Sequence, residues 1–125
     1  MRISGDPTAP ARLRAAEESA GPRRMALTIV AGPNKGQAAV LPAGQPVILG
    51  RHSDCDLSIP SDPYMSRRHL QIVASRDSIE AKDLGSRHGF VIGQATCTDT
   101  AVARFGDVLR VGQSYFLVHH ELGAD

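Results

Sequence analysis

The sequence predicts an all-β fold, a sandwich or barrel, on three observations. From Met25 onward the apolar residues come in short runs. Clusters of Gly, Pro, Asn, Asp and Ser separate these runs, and none of the runs carries a helical period. Strands of that length, punctuated by turn residues at that spacing, close into a two-layer or barrel core.

Residues 1–24 stand apart from this pattern, being rich in Ala, Arg, Pro and Ser. Ala9 to Ala20 reads as a weak helix, with Thr8 as N-cap and Pro10 in its first turn. Its apolar face is Leu13 plus alanines, too little to bury, so a flexible or weakly helical extension is expected. Met25 opens the strand pattern and reads as an alternative start of the chain. Leu27 to Ala31 is the first strand, Gly32-Pro33-Asn34-Lys35-Gly36 its turn, and Ala38 to Leu41 the return. That turn is not a nucleotide loop, which needs four residues between its glycines and then Lys-Ser/Thr. Pro46 to Gly50 is an apolar run that reads as a buried strand, and Leu57-Ser58-Ile59 a short strand. Leu70, Ile72 and Ala74 alternate with weaker positions, Ser75-Arg76-Asp77 turns the chain, and Ile79 and Ala81 continue it. Phe90 to Ile92, Asp107 to Val111 and Ser114 to His119 complete the set. The expected domain is residues 25–120, with 121–125 as a short tail.

Composition excludes several classes. At 125 residues the chain is one domain's worth and can bury a normal core. No apolar run approaches the roughly 20 residues of a membrane helix, and no apolar signal segment opens the sequence, so a cytoplasmic protein without membrane contact is expected. The net charge of +1 gives no broad field for nucleic acid. Cys55 and Cys97 stand in no Cys-x-x-Cys spacing, so neither a metal site nor a redox pair is expected. Among 14 basic residues only Lys35 and Lys82 are lysine; the rest are arginine, whose planar fork suits phosphate and carboxylate.

Four segments carry the chemistry. They are Leu49-Gly50-Arg51, Met65-Ser66-Arg67-Arg68-His69, Asp83-Leu84-Gly85-Ser86-Arg87-His88-Gly89 and Phe105-Gly106-Asp107-Val108-Leu109-Arg110-Val111-Gly112. In this order they closely resemble the forkhead-associated (FHA) domain, whose pattern runs Gly-Arg, Ser-x-x-His, Gly-Ser-x-Asn-Gly, then Gly-Asp before a late strand. The resemblance covers Leu27 to Val118. It implies a mostly antiparallel β-sandwich of about 11 strands whose loops at one end hold a phosphothreonine peptide. A phosphothreonine brings about −1.5 to −2 charge and three strong acceptor oxygens. A guanidinium answers it best, with hydroxyl and backbone donors around it.

By resemblance, Arg51 binds the phosphate, Ser66 donates its hydroxyl to it, and His69 braces the loop. Arg67 and Arg68 flank the pocket, and Gly50, Gly85 and Gly89 support its backbone. Ser66-x-x-His69 is not a nucleophile and base, because no third orienting group or acyl-transfer motif accompanies it. The third segment departs from the pattern: Arg87 and His88 stand where the family has a small residue and the asparagine that bonds the peptide backbone. Arg87 offers a second fork, while His88 offers one donor when neutral and two when protonated. His119 and His120, adjacent on a strand, point apart and read as surface residues.

The resemblance implies a non-enzymatic module in Ser/Thr kinase signalling. Its partners would be a threonine-phosphorylated protein or peptide and an upstream Ser/Thr kinase, and it needs no cofactor or metal. Two alternatives stay open. A degenerate FHA domain binding proteins independently of phosphate is favoured by Arg87-His88. A nucleic-acid binder is disfavoured by the near-neutral charge and the 4% aromatic content.

Overall fold

A computed structural model describes residues 24–121. The helix read in Ala9–Ala20 and most of the expected tail lie outside those residues. Eleven strands make two sheets and no helix occurs among the described residues. They are β1 (Met25–Ala31), β2 (Ala38–Val40), β3 (Pro46–Gly50), β4 (Leu57–Ser58), β5 (Leu70–Ala74), β6 (Ser78–Asp83), β7 (Phe90–Ile92), β8 (Ala95–Cys97), β9 (Thr100–Arg104), β10 (Val108–Val111) and β11 (Ser114–His120).

One sheet runs β2-β1-β11-β10-β7-β8 and the other β4-β3-β5-β6-β9. Every pair of neighbouring strands is antiparallel except β3 with β4. This is the sandwich that the strand pattern and the resemblance called for. Alternation decides which face goes inward. In β6, Ile79 and Ala81 are buried while Glu80 and Lys82 are exposed. In β11, Ser114, Phe116 and Val118 are buried and Tyr115 is exposed. Leu27, Leu49, Leu70, Ile72, Ile79, Phe90 and Leu109 fill the space between the sheets. Each such side chain contributes about 1.5–3 kcal/mol on burial.

Two strands escape the sequence pattern. β8 and β9 occupy one edge of each sheet. β8 has no fully buried residue and β9 only one, Ala103. Edge strands whose one buried apolar residue is an alanine, with Val102 exposed, give no alternation strong enough to read. The Gly32–Gly36 segment is the hairpin turn expected, with Gly36 N–H donating to the Ile29 carbonyl at 2.8 Å.

The strand ends sort into two poles. At one, Met25 of β1 sits opposite His120 of β11, and Glu121 N–H donates to the Arg24 carbonyl at 2.7 Å. At the other, the loops leaving β3, entering β5 and joining β6 to β7 converge beside the β10–β11 turn.

Candidate phosphopeptide-binding loops

Gly50 ends β3 where another chain segment crosses closely. A Cβ built there would lie 2.0 Å from the Arg67 carbonyl oxygen, so only glycine fits. This approach laces two loops together. Arg51 N–H donates to the Ser66 carbonyl at 3.0 Å, His52 N–H to the Arg67 carbonyl at 3.1 Å, and His69 N–H to the Leu49 carbonyl at 2.9 Å.

The Arg51 side chain is half-buried, and its Nε donates to the Met65 carbonyl at 3.0 Å. Its terminal Nη groups have no acceptor among the described residues. The guanidinium is thus fixed at one nitrogen and keeps its terminal edge for a ligand. Ser66 is also half-buried. Its Oγ accepts the Arg87 N–H at 3.3 Å, which uses a lone pair and leaves the hydroxyl proton to donate.

His69 is fully buried and works as a brace. Its Nδ1 accepts the Ser66 N–H at 3.0 Å, which puts the ring proton on Nε2. Nε2 donates it to the Gly89 carbonyl at 2.6 Å. One ring therefore ties the Ser66 loop to the Arg87 loop, and both its nitrogens are spent.

The third loop is locked from within. The Asp83 carboxylate accepts the Gly85 N–H at 3.0 Å, the Ser86 N–H at 2.8 Å and the Ser86 hydroxyl. Ser86 Oγ in turn accepts the Gly89 N–H at 2.8 Å. Gly85 and Gly89 sit at φ of 81° and 70°. Arg87 and His88 are exposed at the tip of this turn.

Arg51, Ser66 and Arg87 are therefore brought together. Arg67 is exposed, and its side chain has no partner among the described residues, while its carbonyl holds His52 and the Cys55 thiol. Arg68 is turned to Asp54, with Nη2 2.6 Å from a carboxylate oxygen. Both members of that pair are more than half exposed, so it contributes at most about 1 kcal/mol. Cys55 is a buried packing residue, and burial, followed by the Asp54 charge, pushes its thiol up from the ordinary value.

Three residues given no role of their own in the sequence prove structural to this end. Asp83 and Ser86 lock the third loop. Asp62 is completely buried, and its carboxylate accepts the Tyr64 N–H at 3.0 Å, the Gln113 N–H at 2.8 Å and the Ser114 hydroxyl at 2.7 Å. Ser61-Asp62-Pro63 reads only as a turn, and nothing local betrays a partner 51 or 52 residues away.

Beside Arg87 runs a groove of about 530 Å³, lined by Tyr64, His88, Val91, Thr96, Arg110 and Gln113 among others. Arg110 lies over the Tyr115 ring, its guanidinium carbon 5.5 Å from the centroid, and its Nε donates to the Gly112 carbonyl at 3.3 Å. The histidines on β11 are more engaged than surface residues. His119 Nε2 lies 2.6 Å from Thr28 Oγ1, and His120 stacks on Phe105 with centroids 5.1 Å apart.

Residues 28–121 match the family described as the cytoplasmic domain of an inner membrane component of the type III secretion system. Among solved structures, the FHA domain of the CT664 protein from Chlamydia trachomatis is 26% identical, with a TM-score of 0.72 over 79% of this chain and 99% of that one. A structure from work on phosphothreonine-dependent FHA domain interactions is 28% identical, with a TM-score of 0.68 over 80% and 99%. The FhaA FHA domain, complexed with the intracellular domain of Rv3910, is 29% identical, with a TM-score of 0.66 over 76% and 99%. Comparison with curated proteins finds no match.

Proposed function

The chain belongs to the family of these type III secretion cytoplasmic domains, an FHA-type family, and on that premise we propose that it is a non-enzymatic protein-interaction module that binds phosphothreonine peptides in Ser/Thr kinase signalling. The observation that carries this reading is the linked trio of Arg51, Ser66 and Arg87. A guanidinium edge, a hydroxyl proton and a second guanidinium stand on three loops that are tied to one another by backbone bonds and by the His69 ring. Such a set meets a phosphate with charge-assisted bonds of about 1.5–3 kcal/mol each. Pre-organised loops lose little entropy on binding, so affinity near micromolar, about −8 kcal/mol, is expected.

Arg67 raises the potential at the rim, and the peptide continues past His88 into the groove. The partner is a threonine-phosphorylated protein, made so by a Ser/Thr kinase, met on the cytoplasmic side. The test is capture from a degenerate phosphothreonine peptide library by the full chain, beside unphosphorylated and phosphoserine twins. Phosphothreonine-selective capture, lost in Arg51→Ala and Ser66→Ala, is the expected result. Equal capture of all three peptide sets by folded protein would overturn it.

A second reading, phosphate-independent protein binding through the same loops, is favoured by one observation. His88 stands at the asparagine position of the family pattern and makes no side-chain hydrogen bond among the described residues. Binding of a partner protein that phosphatase treatment leaves unchanged, and that His88→Ala abolishes, would support it.

A further inference from the structure

Arg110 is an arginine held in place without a carboxylate among the described residues. It sits on β10 between the buried Leu109 and Val111, so strand alternation turns it to the outer face of the six-stranded sheet. There it is opposite Tyr115 on one side and Val91 on the other. The guanidinium carbon lies over the Tyr115 ring, 5.5 Å from its centroid, and the Gly112 carbonyl accepts the Nε–H at 3.3 Å. The hydrogen bond uses only the Nε–H. The Nη edge has no acceptor among the described residues. Arg110 is thus positioned much as Arg51 is, with one nitrogen fixed by a backbone carbonyl and the terminal fork left over.

This fork belongs to the groove that starts at His88. The remaining lining is apolar or neutral and includes Tyr64, Val91, Thr96 and Gln113, and no Asp or Glu lines the groove among the described residues. Asp62 lies beneath the floor at Gly112, but it is completely buried and its oxygens are taken by Tyr64, Gln113 and Ser114. It does not face the groove. A groove with an arginine and an exposed histidine on its walls and no counter-charge favours an anionic occupant.

We propose that Arg110 is a specificity-determining residue, and that the favoured ligand is a phosphothreonine peptide carrying an acidic side chain that lies in this groove against the Arg110 fork. The inference rests on the phosphopeptide reading of the loops and adds to it the class of peptide selected. Tyr115 supports the guanidinium by cation–π contact, so its orientation is set before the ligand arrives.

The test uses the full chain and a set of phosphothreonine peptides identical except for Glu, Ala or Lys at each flanking position in turn. One position is expected at which Glu binds about twofold to fivefold tighter than Ala, with Lys weaker than Ala, the size of a partly exposed charge pair. Arg110→Ala removes that difference, and Arg110→Glu inverts it in favour of Lys. Arg110→Lys keeps the preference in weaker form. Phosphoserine at the same position tells a second phosphate from a carboxylate, and tighter binding of either over Ala supports the proposal. Equal binding of Glu, Ala and Lys at every position overturns it, as does a Glu preference unchanged in folded Arg110→Ala. If no phosphothreonine peptide binds, whatever its flank, the phosphopeptide reading itself fails and this inference falls with it.

Discussion

Ser66 Oγ accepts the backbone N–H of Arg87 at 3.3 Å, joining two loops that lie 21 residues apart in the chain. The bond does two things at once. It sets the hydroxyl's direction, because the lone pair is engaged and the proton faces elsewhere. It also places the Arg87 backbone beside the Ser66 and Arg51 loops, at one end of the sandwich.

Ser66→Ala removes the hydroxyl proposed to donate to the phosphate and leaves the Arg87 N–H without its acceptor. Affinity for a phosphothreonine peptide is expected to drop about tenfold or more, while the melting temperature moves little because the group is only half-buried. Fluorescence anisotropy with a labelled peptide, beside a thermal melt, checks both. Undiminished affinity would remove Ser66 from the site.

Arg51→Ala and Arg51→Lys separate charge from shape. Alanine leaves the phosphate without its main partner and is expected to cost about 2 kcal/mol or more, at least roughly 30-fold in affinity. Lysine restores the charge but not the Nε bond to the Met65 carbonyl or the paired N–H geometry. It should recover only part of the loss, roughly tenfold short of the native protein. Full recovery by lysine would mean that a point charge suffices.

Gly50→Ala and Gly85→Ala should behave differently. The first would drive a Cβ to 2.0 Å from the Arg67 carbonyl oxygen, with no flexible neighbour to yield, and is expected to cost about 3 kcal/mol or more. The second meets open space but sits at φ +81°, so only backbone strain of about 1 kcal/mol is expected. Urea unfolding of the two variants measures the contrast.

Asp62→Ala is expected to destabilise the domain by about 3 kcal/mol, because the Tyr64 and Gln113 amides and the Ser114 hydroxyl all lose their acceptor. Amide hydrogen exchange should speed up at Tyr64 and Gln113 before it does at the centre of β5. Uniform loss of protection across the domain would show that Asp62 supports the whole core and not this junction.

Cys55 makes stability depend on alkaline pH. Burial, then Asp54, raises the folded thiol above its ordinary value, while the unfolded chain keeps the ordinary value. The neutral thiol favours the folded state, so its contribution is complete below the ordinary thiol value and is lost as pH rises through it towards the folded one. Urea midpoints between about pH 7 and about pH 10 should fall more for the native protein than for Cys55→Ala. Parallel curves would refute the linkage.

The sheets were largely legible because burial writes itself as alternation. Leu70, Ile72 and Ala74, or Phe116 and Val118, each alternate with less buried neighbours, and a sandwich allows such residues only one inward face. β8 and β9 were not legible, since edge strands bury too little to show a period. At the loops, the positions of Gly50-Arg51, Ser66 and His69 could be read because the motif names them in order, whereas Arg87 departs from that motif. Asp62 could not, since its partners arrive from the far β10–β11 turn. Arg110 showed only as part of a late strand motif, and its role depends on Tyr115 and Gly112, which fold back beside it.

The pairing of Met25 with His120 has a mechanical consequence. β1 and β11 are antiparallel neighbours whose outer ends meet at one pole, closed by the Glu121–Arg24 bond. The binding loops lie at the other pole, about 20 Å away along a seven-residue strand. A pull on the two ends therefore loads the β1–β11 ladder one rung at a time, as a zipper opens, instead of straining all its bonds together. Along that axis the domain yields to a weak force, whereas a peptide held at the far pole pulls on loops that His69 ties across both sheets.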